Sequence, residues 1–107
     1  LIRSIIDDID NNFSERTELA FLAEKYSISV PYLCSCFKKL TGNSLINFLI
    51  QRRLNEAKRL LISTDKSIID ISNECGFQSL SNFNHLFKNS VGCPPSVYRK
   101  NRKYSFQ

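Results

Sequence analysis

Two stretches of this chain match each other at a distance of fifty residues: Ser29–Gly42, SVPYLCSCFKKLTG, and Ser79–Gly92, SLSNFNHLFKNSVG. Ser29 matches Ser79, Leu33 matches Phe83, Phe37 matches Phe87, Lys38 matches Lys88 and Gly42 matches Gly92. Each copy opens on a serine, whose side chain suits a helix N-cap. Each keeps large apolar residues at helical spacing. Each closes on a glycine, which takes the left-handed conformation that ends a helix. A chain that carries one helix twice has to build two equivalent packing sites for it.

The flanking sequence supplies those sites. Ile2, Ile5, Ile6 and Ile9 form one face of a first helix, which Asn11-Asn12 ends and onto which Phe13 folds back. A second helix is expected from about Thr17 to Lys25, capped by Ser14 or Thr17, with Leu19, Leu22 and Ala23 as its stripe. Tyr26-Ser27-Ile28 is a tight connection to the first repeated helix, where Pro31 occupies the first turn at little cost. Leu33, Cys36, Phe37 and Leu40 point inward from that helix. Ser44 opens a longer helix to about Ile62, apolar at Leu45, Phe48, Leu49, Leu54, Ala57, Leu60 and Leu61. Its apolar residues point in several directions, so it packs against both halves.

After Ser63–Lys66 the pattern starts again. Ser67 caps a helix bearing Ile68, Ile71 and Ser72, Cys75–Gln78 is the turn, and Ser79 opens the second copy with Phe83, Leu86 and Phe87 inward. The short helices are offset by 49 residues and the repeated ones by fifty, so the second turn is one residue longer. Gly76 ends the short helix there, in the place of Lys25 or Tyr26. Pro94-Pro95 then leads into a basic helix from Ser96 to about Lys103. The chain therefore reads as all-α, seven helices without a strand. Two helix-turn-helix subdomains, residues 1–43 and 64–107, are joined by a linker helix at 44–63, in a homeodomain-like arrangement.

The formal net charge of +5 over 107 residues directs attention to a polyanionic partner. No apolar run approaches the roughly 20 residues of a membrane span, and no signal peptide is visible. The single histidine and the four cysteines have no zinc-ligand spacing. The cysteines read as reduced thiols of a cytoplasmic protein, packing as small apolar residues. No cofactor is expected. No catalytic residue is assigned either, because Cys34, the one nucleophile worth weighing, has no histidine nearby in sequence.

The pattern resembles the DNA-binding domain of AraC/XylS-family transcription regulators. It is carried by Leu22-Ala23, Ser29, Leu33, Phe37-Lys38-Lys39, Gly42, Arg53-Leu54, Ala57, Leu60-Leu61, Ile68, Ile71 and above all by Gly76 to Arg99. That last segment reads G-F-x-S-x-S-x-F-x-x-x-F-K-x-x-x-G-x-x-P-x-x-Y-R. The N-terminal helix with Asn11-Asn12-Phe13 also looks like the output domains of response regulators of this family. The resemblance implies a bacterial transcription regulator with a recognition helix in each unit, and a sensor or receiver on another domain. RNA polymerase is the expected protein partner.

A recognition helix shows its outward first turns to base edges in the major groove. In the second copy these residues are Leu80, Ser81, Asn82 and His85, which match the family's base-contacting positions. Asn82 donates and accepts toward adenine, His85 suits guanine N7, and Leu80 suits a thymine methyl. The first copy offers Pro31, Tyr32, Cys34 and Ser35, a poorer set for hydrogen bonding. Lys38, Lys39, Lys88, Arg52, Arg53, Arg99, Lys100, Arg102 and Lys103 are the phosphate candidates, with backbone N–H groups near Thr17, Ser29 and Ser79. A linker helix of about 19 residues spans roughly 28 Å, close to the ~34 Å of one DNA turn, which suits two successive grooves. The competing reading is a helical protein-interaction module with weak, non-specific DNA affinity.

Overall fold

A computed structural model describes residues 2–12 and 18–105. Phe13, Ser14 and Thr17, and the side chain of Lys103, lie outside the described part. Seven helices run in order: α1 (Ile2–Asn12), α2 (Glu18–Lys25), α3 (Val30–Thr41), α4 (Leu45–Ser63), α5 (Ile68–Glu74), α6 (Leu80–Val91) and α7 (Pro95–Ser105). There is no strand among the described residues. None of these helices is long and apolar enough to cross a membrane.

The chain forms two compact units, Leu1–Arg52 and Arg53–Gln107, divided inside α4. In the first, Ile5 and Ile9 of α1 share a core with Leu22, Ala23, Leu33, Phe37, Leu45 and Leu49. Leu19, Tyr26, Ile28, Val30, Cys34 and Phe48 pack against its edge. Asp8 ties α1 to the end of α2: it accepts from Lys25 Nζ at 3.0 Å and from the Tyr26 hydroxyl at 2.8 Å. These two donors, Lys25 first, hold its carboxyl below the usual aspartate value.

In the second unit the buried residues include Leu54, Ala57, Leu60 and Leu61 of α4, Ile71, Ser72 and Cys75, Phe77, Phe83 and Phe87, and Pro95. The aromatic rings form a continuous series. Phe77 and Phe83 are 4.8 Å apart between centroids, Phe83 and Phe87 5.7 Å, and Phe87 and Tyr98 5.4 Å. Burial pushes the Cys75 thiol up to about 12, with the nearby Glu56 and Glu74 carboxylates adding to it. Cys75 is a packing residue, not a nucleophile.

The two turns repeat one hydrogen-bond pattern. Ser27 N–H donates to Glu24 O and Ile28 N–H to Ala23 O; Gly76 N–H donates to Asn73 O and Phe77 N–H to Ser72 O. This is the Schellman ending, which satisfies carbonyls the helix leaves open. Its left-handed residue is Gly76 at φ 90° in one unit and Ser27 at φ 57° in the other. The first unit's counterpart of Gly76 is therefore Ser27, rather than Lys25 or Tyr26. The added residue in the second turn is Gln78, which lies between the motif's last residue, Phe77, and the cap Ser79.

Leu40 departs from expectation. It shares a direction with Leu33 and Phe37, yet it is 66% exposed. It stands in the last turn of α3, beyond the elements that cover the rest of that face. Ser90, its counterpart in α6, is exposed as well.

Candidate nucleic-acid interface

The recognition-type helices are held by the same three devices. Ser29 Oγ accepts from Tyr32 N–H at 3.2 Å, and Ser79 Oγ accepts from Asn82 N–H at 3.0 Å. Both serines have extended backbone, as an N-cap requires. At the other end Gly42 (φ 79°) and Gly92 (φ 97°) are left-handed, and each donates its N–H 2.8 Å to the carbonyl of Lys38 or Lys88. Leu33 with Phe37, and Phe83 with Phe87, anchor the inner faces, each at most 1% exposed. Packing on one side thereby determines which residues stand on the other.

In α6 the outward residues are Ser81, Asn82 and His85, all exposed. They follow one another in the first two turns. Leu80 is only partly turned outward, at 36% exposure. With Asn84 and Lys88 it lines a cavity of about 390 Å³ whose other walls are Ile68, Pro94, Pro95 and Ser96. His85 has a neighbour that the sequence reading did not single out. Asn89 Nδ2 is 3.1 Å from His85 Nε2, one turn further along α6. The signal was available, since residues four apart on a helix are side-chain neighbours.

In α3, Pro31, Tyr32 and Ser35 are exposed. The fifty-residue register sets them against Ser81, Asn82 and His85. Cys34 is different: it is half-buried against the first core, in the register of Asn84. Its thiol points partly inward, so the outward face of α3 is Pro31, Tyr32 and Ser35 without it. Tyr32 leans along the helix toward Cys36, and this hydrogen-bond partner raises its phenol above the usual value.

The cations fall into two groups. Lys38, Lys39, Lys88, Lys100 and Arg102 are exposed, the first three in the last turns of α3 and α6. Arg102 also lies over the Tyr98 ring at 5.4 Å. Arg52 donates from Nε to Asp10 at 2.7 Å, and Arg53 is half-buried. Arg99 makes two hydrogen bonds within its own unit. Its Nε donates 3.0 Å to Leu61 O and its Nη2 donates 3.2 Å to Thr64 O. The guanidinium closes the C-terminal end of α4, where carbonyls lack helical partners and a cation suits the helix dipole. That bond joins residues 38 apart in the chain, and no local pattern announces it.

The helix-turn-helix domain family matches residues 22–101. The chain is 41% identical over 106 residues to the "uncharacterized HTH-type transcriptional regulator YdiP" of Escherichia coli K12, covering 99% of this chain and 35% of that protein. It thus spans about a third of the length of that relative. Among solved structures it matches the DNA-binding domain of the global transcriptional factor AdpA in complex with a target DNA. There the TM-score is 0.89 and the identity 25%, over 97% of this chain and 94% of that one. The C-terminal domain of the two-component response regulator yesN from Fusobacterium nucleatum matches with TM-score 0.86 and 31% identity, over 91% and 95% of the two chains.

Proposed function

The chain belongs to the AraC/XylS family of helix-turn-helix transcription regulators, and on that footing we propose that it binds double-stranded DNA sequence-specifically through α3 and α6. The observation that carries this reading is the paired build of those helices: capped, glycine-stopped, anchored by buried apolar residues, with exposed side chains at one register. A helix so held presents its first two turns as a rigid reading head, which the major groove admits. Ser81, Asn82 and His85 of α6 are the principal base contacts, with Leu80 at their edge. Pro31, Tyr32 and Ser35 of α3 add apolar and shape contacts, and Cys34 stands behind them.

Lys38, Lys39, Lys88, Lys100, Arg52 and Arg53 are the proposed phosphate contacts, with Arg102 beside them. Arg99 is set apart from them, because two of its five N–H donors close α4. Phosphate contacts give affinity and register, and base contacts give specificity. The alternating roles of α3 and α6 suit a site of about two helical turns, one groove each. We assign the signal-receiving part to another domain, a sensor or receiver; the likeness to a response-regulator output domain supports this. RNA polymerase is the proposed protein partner, and the bacterial cytoplasm the proposed compartment.

Selection of sites from random duplex DNA tests the reading, followed by titration of the selected site at two salt concentrations. The expected outcome is one enriched motif and affinity that falls steeply with salt, with a log–log slope of roughly −5 to −6 for the six or seven proposed phosphate contacts. Asn82→Ala is expected to cost about 1–3 kcal/mol of discrimination at one base pair. Tyr32→Ala is expected to relax specificity less. Salt-insensitive binding without an enriched motif would instead favour the protein-interaction module.

A further inference from the structure

We propose that Asn89 is a specificity-positioning residue: it sets the tautomer of His85, making Nδ1 the only N–H donor that the imidazole offers to a base. This rests on the DNA reading above and adds a chemical preference to it. The amide nitrogen of Asn89 is 3.1 Å from His85 Nε2. An amide nitrogen only donates, so the ring nitrogen facing it accepts. A neutral imidazole carries one proton, which then resides on Nδ1. Imidazole in water prefers the opposite tautomer, with the proton on Nε2. Asn89 reverses that preference and restrains the ring along the helix.

Both residues lie on the exposed side of α6, at i and i+4, so the pair forms within one rigid element. Two turns are then engaged by a single readout, because Asn89 follows the first outward residues by two turns and reaches back. The corresponding residues of α3 are Ser35 and Lys39, which have no ring to orient. The positioning device belongs to the second unit alone.

The consequence is a base class. A donor at Nδ1 is complementary to acceptors on the major-groove edge: N7 of guanine or adenine, O6 of guanine, or O4 of thymine. Cytosine presents an N4–H₂ donor there and is rejected. His85 therefore reads a purine or thymine, never cytosine, at the base it contacts.

His85 is the sole histidine, so ¹⁵N imidazole spectra of the 107-residue chain report it without ambiguity. With the imidazole in its neutral form and without DNA, the expected result is a protonated Nδ1 and an unprotonated Nε2. Asn89→Ala is expected to restore the Nε2-protonated form with an unchanged thermal melt. Site selection then compares wild type, His85→Ala and Asn89→Ala. Both variants are expected to lose preference at the same base pair, by roughly fivefold or more. An Nε2–H tautomer in the wild type, or a spectrum that Asn89→Ala leaves unmoved, overturns the proposal. So does an Asn89→Ala protein that keeps the preference lost in His85→Ala, and in that case the DNA reading stands. A wild-type chain that selects no site refutes the DNA reading itself, and this inference falls with it.

Discussion

Ser27 and Gly76 hold the same place in the two turns, at φ 57° and φ 90°, with the same hydrogen bonds around them. One unit meets the demand for left-handed backbone with the residue that adopts it freely; the other meets it with a residue that pays in strain. The difference recurs through both units. Where α6 has Asn84 at a cavity wall, α3 has Cys34 against the core. Where the second unit has Arg99, the fifty-residue register of the first has buried Leu49. The lesson is that the backbone scheme is shared and each unit stabilises it by different means. The outward faces are then free to diverge, because neither face takes part in that stabilisation.

The largest expected effect separates the two cores. Phe87 lies edge-to-face with both Phe83 and Tyr98, whereas Phe37 has Phe48 as its ring partner, 5.5 Å away. Phe87→Ala is expected to cost about 3–5 kcal/mol, the usual range for a buried aromatic, and to exceed Phe37→Ala. Urea denaturation of the two variants decides it, and equal losses would break the contrast. Next comes Arg99→Ala, which opens the end of α4 and should cost about 2–3 kcal/mol, since its hydrogen bonds are charge-assisted. Lys100→Ala is exposed and should leave stability alone while lowering the salt slope by about one. If Arg99→Ala folds like wild type and lowers only the slope, the latch assigned to it is mistaken.

Smaller effects sharpen the turn comparison. Gly76→Ala should destabilise by about 1–2 kcal/mol, and Ser27→Gly should stabilise by about 0.5–1 kcal/mol. Thermal melts of both show whether the strain lies where the dihedrals place it. The smallest effect is one of pH. The Asp8 carboxyl is held below its ordinary value by Lys25 and Tyr26. Its contribution is therefore present above about pH 4, the unfolded aspartate value, and is lost as pH falls through the lower folded one. Acid titration followed at Tyr26 should show the α1–α2 contact loosening in that window, and Asp8→Asn should abolish the step.

Much of this molecule was legible because its signals are local. The serine caps, the stopping glycines and the extra residue of the second turn each act over three to six positions, so residue type and spacing suffice. The outward set Ser81, Asn82 and His85 follows from the same argument, since buried Phe83 and Phe87 leave little choice for the opposite face. The cavity beside Leu80 and the inward lean of Cys34 were not legible, because each depends on what a separate helix places alongside.

The sequence by itself determined seven helices and the repeat that relates them, since most backbone hydrogen bonds and the serine caps are satisfied within each segment. Tertiary structure alone decided that Leu40 is left uncovered, that Arg99 closes α4 rather than facing outward, and that Cys34 turns toward the core. Periodicity assigns a direction to a side chain. Whether a partner waits in that direction depends on chain brought there from tens of residues away, and nothing in the local pattern encodes it.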